Sequence, residues 1–233
     1  MLIKLGDVVG QASGSLRSST YSHNRYGAYI RNRAIPTNPN SARQSTVRTL
    51  MQVLAALWGG TLTPEQRADW TAYGANVPVI NRLGESINLT GLNMYIRSNL
   101  PRIVAGLDRV DDGPAIFSLP ETDGTVAFSY TADDQQISVV FDDGMDWCDV
   151  TGSALLIYTG IPVNPTRNFF NGPFRFADSI DGNSVTPPSS ADEVTSPFNI
   201  QEGQLVYSKA RITLVDGRLS SFFRLGAAAV AAS

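Results

Sequence analysis

The sequence predicts an α+β chain in three successive parts: an extended N-terminal arm over residues 1–40, a small helical unit over 41–110 and an antiparallel β-sandwich over 111–233. Three observations predict it. Residues 21–40, "YSHNRYGAYIRNRAIPTNPN", hold three tyrosines, three arginines and two prolines but no carboxylate. Apolar residues then recur at helical spacing between residues 47 and 96. From Val126 onward the period falls to two, with turn signals separating short apolar runs.

In the arm, Gly6, Gly10, Gly14 and Gly27 punctuate a polar segment, and Pro36 and Pro39 push Ile35 and Asn38 toward extended geometry. Tyrosine and arginine dominate the energetics of protein interfaces. The arm is therefore expected to order itself on another surface through Tyr21, Arg25, Tyr26, Tyr29, Arg31, Arg33, Pro36 and Pro39.

The first helix has Asn40 or Ser41 as its cap. Val47, Leu50, Met51, Leu54, Leu57 and Trp58 form one face, and Gly59-Gly60 provides a stop. In "LTPEQRADWTAYG", Thr63, Pro64 and Gln66 make a capping box with proline at the first helical position, and Gly74 closes the helix. These two helices are expected to form an antiparallel hairpin in which Trp58 meets Trp70. A third helix follows Thr90, with Leu92, Tyr95 and Ile96 inward, and is expected to stop before Pro101.

Asp111-Asp112-Gly113-Pro114 marks the boundary to the β part. Val126, Phe128 and Tyr130 alternate with polar residues, Asp133-Asp134 turn the chain, and Ile137, Val139 and Phe141 alternate back. "SALLIYTG" is apolar enough for a central strand, and Asp216-Gly217 joins two long strands. Roughly seven short strands separated by turns suit a sandwich. "GAAAVAAS" reads as a frayed tail, and Trp147 lies in an acidic loop.

The segment "FNIQEGQLVYSKARITLVDGRLSSF" resembles the last strands of an immunoglobulin- or fibronectin type III-like sandwich. Three further segments, "SHNRYGAYIRNRAIPTNPNSARQSTVR", "LTPEQRADWTAY" and "LTGLNMYIRSNLPR", resemble uncharacterised proteins of tailed-phage and prophage structural-gene regions. That resemblance implies a virion component. Its expected partners are the major capsid protein or other virion subunits and copies of itself, with a capsid decoration or cement role ahead of a neck or tail role.

Charge points the same way. Residues 1–110 hold 12 Lys+Arg against 5 Asp+Glu, a net of +7, and residues 111–233 hold 6 against 16, a net of −10. A basic arm and an acidic β part suit association between copies. A nucleic-acid-binding accessory is the alternative for such an arm. It is the less favoured one, because the arm has structure-setting prolines and the chain carries its own acidic partner.

No enzymatic activity, cofactor or metal is expected. One cysteine, Cys148, and one histidine, His23, leave no material for the common zinc sites or for a serine-protease triad outside the arm. The run Asp142, Asp143, Asp146 and Asp149 lacks the spacing of a calcium-binding EF-hand loop. "MLIKLGDVVGQ" has no apolar stretch long enough for a signal peptide, and no window approaches a membrane span.

Overall fold

The computed structural model describes residues 12–25, 27–35, 37–81, 84–170 and 172–231. The chain divides into two compact units, Met1–Ser45 and Thr46–Ser233.

The first unit is not an extended arm. β1 (Gly14–Leu16), β2 (Ser19–Asn24) and β3 (Gly27–Asn32) pair with one another as an antiparallel meander. Thr20, Tyr21, Tyr29 and Ile30 are β-forming residues, and two of the glycines that suggest looseness, Gly14 and Gly27, open strands at positive φ. Gly27, which opens β3, has φ +118°, a region that only glycine enters freely. α1 (Ala42–Gly60) then starts on a capping box: the Ser41 hydroxyl accepts from the Gln44 N–H and the Gln44 side chain accepts from the Ser41 N–H.

In the second unit, α2 (Pro64–Asn76) opens on the predicted box of Thr63 and Gln66. A two-stranded hairpin of β4 (Val79–Ile80) and β5 (Ser86–Ile87) leads to α3 (Gly91–Val104), capped by Thr90. The tight helix pair is α2 with α3, in place of the expected α1–α2 hairpin. Two glycines permit it. A Cβ at Gly74 would overlap the Leu89 carbonyl, and one at Gly91 would overlap Thr71. Gly74 is thus a point of close approach inside α2, not its end. Tyr95 is the ring that both indoles meet, at 5.7 Å from Trp58 and 5.6 Å from Trp70. α3 runs through Pro101 to Val104 despite the missing N–H. Arg102 follows the proline in that last turn.

The remaining strands are β6 (Ala127–Thr131), β7 (Gln136–Val140), β8 (Ala154–Gly160), β9 (Phe174–Asp181), β10 (Asp192–Thr195), β11 (Leu205–Thr213) and β12 (Phe223–Ala231). They form one sheet in the order β10-β7-β6-β12-β11-β8-β9. Its two outer strands, β9 and β10, approach each other, so the sheet nearly closes into a barrel. The immunoglobulin- or fibronectin-like sandwich is therefore overturned. The strand responsible is the segment that reads as a tail. β12 pairs antiparallel with β11 on one side and parallel with β6 on the other, in the register Val230 to Tyr130. It joins what would otherwise be two sheets. Its alanines disguise it, yet Val230 belongs to the core. Trp147 is also inside, 2% exposed and 5.6 Å from the Phe141 ring.

One core fills the barrel, with Tyr130, Ile137, Val139, Leu155, Ile157, Ala210 and Ile212 among its residues. β8 is buried on both faces. Leu155 and Ile157 point inward, while Ala154 and Leu156 lie under Ala105, Leu107 and Leu219. That outer layer joins the barrel to the end of α3.

Arg102, 1% exposed, makes the joint specific. Its Nε donates to the Asp108 carbonyl at 2.9 Å, and Nη1 to the Leu214 carbonyl at 2.7 Å and the Thr213 hydroxyl at 3.2 Å. Nη2 donates to the Gly152 carbonyl at 3.0 Å. Asn99, one turn earlier, exchanges hydrogen bonds with the backbone of Val110. Arg102→Ala strands several buried acceptors and is expected to cost about 3 kcal/mol or more. Arg102→Lys should restore only part of that, both read from urea unfolding.

Candidate interaction surface

Residues 8–64 contain six arginines, no lysine and no carboxylate. None of the described residues from 12 to 45 is buried, so the meander has no interior of its own. Three strands without a packed face are marginal in water.

Pairing sorts the side chains by face, because residues opposite each other across antiparallel strands share a side. Tyr21 faces Ile30 and His23 faces Ala28, and Leu16 lies on this side opposite Ser19. The other side carries Ser15, Thr20, Ser22, Tyr29 and Arg31, with a hydrogen bond of 2.9 Å between the Ser15 and Thr20 hydroxyls. Tyr21 and Tyr29 are both half-buried but lie on opposite faces. Arg25 is exposed in the β2–β3 turn. Arg33 is exposed just beyond β3, and its N–H donates to the Ser18 carbonyl at 2.7 Å. Pro39 is exposed in the link to α1. Tyr26 and Pro36 lie outside the described residues. The predicted set thus divides between two faces, a turn and a linker.

From Thr46 onward α1 belongs to the second unit. Of its predicted apolar face only Leu54 is buried. Leu57 and Trp58 pack partly against the α2–α3 core, while Met51 and Val53 are 45% and 46% exposed. The helix is anchored near its C-terminal end and uncovered before it.

Carboxylates gather in the second unit. An open groove of about 610 Å³ at the helix–barrel joint is lined by Asp108, Asp111, Asp112 and Asp181. Here the Asp111 carboxylate takes both Arg109 Nε and Nη2 at 2.6 Å, which raises the Arg109 pKa. Asp111 also accepts from the Tyr95 hydroxyl, and its backbone carbonyl accepts from the Trp70 indole. Burial lowers the pKa of Arg102 on the wall of this groove. A second groove of about 600 Å³ is lined by Glu121, Asp142 and Asp146.

The acidic run 142–149 shapes its own loop. Asp142 Oδ1 accepts from the Gly144 N–H, and the Asp142 N–H donates to Asp123. Among the described residues, no group of three His, Cys, Asp or Glu is placed to hold a metal ion. Also among them, no helix is long and apolar enough to cross a membrane. Cys148, in the same run, is fully buried. Burial, aided by Asp149 and its acidic neighbours, pushes its thiol up to about 11. No family model, curated protein or solved structure matches the chain.

Sequence patterning missed the cation–aromatic cluster on β8, β9 and β11. Lys209 and Arg211 look like ordinary strand-exterior residues until register brings Tyr158 beside them.

Two outcomes are expected. Leu54→Ala should cost about 2–5 kcal/mol, whereas Met51→Lys should stay within about 0.5 kcal/mol, both measured by thermal and urea unfolding. The raised Cys148 pKa stabilises the fold fully below pH 9, its ordinary value. That contribution, at most about 3 kcal/mol, disappears as pH climbs from 9 toward 11. Cys148→Ala should flatten this part of the alkaline decline.

Proposed function

We propose that this chain is a non-enzymatic structural component of a tailed-phage particle, a decoration or cement protein of the capsid. Its N-terminal unit and the uncovered flank of α1 would attach it to the major capsid protein or other virion subunits. The observation that carries this reading is a carboxylate-free, arginine- and tyrosine-bearing sheet with no buried residue among those described. A folded element without an interior acquires one by docking, and a protein partner supplies both apolar cover and carboxylates. The acidic grooves of the second unit offer the same charges to the basic unit of a neighbouring copy, which supports self-association in a lattice. The sequence resemblance to phage structural-region proteins supplies the particle; the charge and burial pattern supplies the mode of attachment.

The test is reconstitution. Purified protein mixed with particles lacking it should co-sediment, and the double variant Arg31→Glu/Arg33→Glu should remain in the supernatant with an unchanged melting temperature. Incorporation of that variant at the normal level overturns the reading. Lattice stoichiometry marks a shell protein, and a single ring's worth of copies marks a neck or tail protein.

A further inference from the structure

We propose that the groove bordered by Glu121, Asp142 and Asp146 takes an arginine side chain together with its adjoining peptide carbonyl. The occupant is an arginine from residues 8–64 of a second copy of this chain. The inference rests on the self-association reading above and names the side chain and the place that carry it.

This groove of about 600 Å³ brings the three carboxylates into one space with Met145, Trp147 and Leu214. Its size falls within the roughly 300–1,000 Å³ of small-ligand sites. Arg218 also borders it, but the Arg218 Nε is held by Asp216 at 2.6 Å. Glu121, Asp142 and Asp146 are exposed, and the ion pairs among the described residues, Arg109 with Asp111 and Arg218 with Asp216, leave all three out. The uncompensated charge of the groove is therefore negative, and it suits a cation.

The kind of cation follows from how the acids are spread. Among the described residues no group of three His, Cys, Asp or Glu is placed to hold a metal ion, which needs its oxygens gathered around one centre. A guanidinium instead spreads five N–H groups over a planar fork and meets carboxylates along its edges. Met145 and Leu214 are half-buried in the same groove, and arginine lays its methylenes on such apolar surface while its head stays among charges.

Trp147 gives a second indication. It is 2% exposed, it borders the groove, and its indole N–H is buried without an acceptor. A buried donor left unpaired is costly, and a peptide carbonyl seated beside it removes that cost. Charged head, apolar stem and carbonyl answer three separate features of the groove, and one arginine residue carries all three. Residues 8–64 offer six arginines with no lysine and no carboxylate, and Arg31 and Arg33 among them are exposed.

Titration of the full chain with N-acetylarginine amide, followed in an assigned proton–nitrogen NMR spectrum, tests the site. The Trp147 indole N–H and the backbone N–H groups of Gly144 and Met145 are expected to shift and saturate. N-acetylcitrulline amide keeps the shape and the carbonyl but not the charge, and should bind about fivefold more weakly or worse. The same loss is expected for N-acetylarginine amide in Glu121→Gln/Asp146→Asn. Absent shifts, equal binding of the two amides, or unchanged binding in the double variant overturns the site. Should that variant not fold, the citrulline comparison on the unaltered chain decides. Sedimentation velocity separates the site from the reading beneath it. Saturating N-acetylarginine amide should dissociate self-associated chains, and association that survives it overturns the second copy as occupant. A chain that binds the amide yet stays monomeric overturns self-association and supports the groove as an arginine site.

Discussion

A buried guanidinium near the end of α3 ties that helix to the barrel. Arg102 leaves α3 in the turn after Pro101 and reaches two separate parts of the sheet, the end of β11 and the loop before β8. A buried arginine is tolerable only when its donors are met, and three backbone carbonyls and a hydroxyl meet them here without any carboxylate. The arrangement fixes more than a distance. Apolar contact between α3 and the outer face of β8 would tolerate sliding, whereas three directed hydrogen bonds to Thr213, Leu214 and Gly152 do not. Gly217 shows how close the joint is. Its φ of +87° suits the Asp-Gly turn, and a Cβ there would lie 3.1 Å from the Trp70 ring. The hairpin of the barrel therefore presses against the aromatic centre of the helical layer.

Local signals and long-range closure were unequally legible in the sequence. Caps, the capping box at Thr63 and Gln66, the helix after Thr90 and the alternation of β6 and β7 all depend on residues a few positions apart, and these agree with the structure. The path of the sheet depends on what β12 does. Alanines give no period-two contrast, so a strand between two neighbours looked like a tail. Trp147 misled in the opposite direction, since its acidic neighbours suggested a solvated loop while its own side chain fills the core. β9 was hidden in a loop-rich stretch whose polar residues face outward along a strand end.

The interaction surface was legible in composition and illegible in geometry. A run from residue 8 to residue 64 without a carboxylate is visible at once. That Tyr21 and Tyr29 lie on opposite sides of a meander requires register, which the turns at Arg17 and Gly27 set. The uncovered start of α1 was also hidden, because its apolar face looks as complete as any core helix. Periodicity reports that a face is apolar and leaves open what covers it.

The parallel pairing of β12 with β6 has a consequence for the birth of the molecule. β12 leaves the ribosome after the other six strands of its sheet, and its partner Tyr130 has by then been translated a hundred residues earlier than Val230. Until it arrives, β6 and β11 each present a row of unpaired amides and carbonyls. Nascent barrels crowded on one messenger would expose complementary edges to their neighbours, and closing a loop of that length is slow beside making a hairpin. Completing the sheet thus requires β12 to close a loop of a hundred residues back to β6.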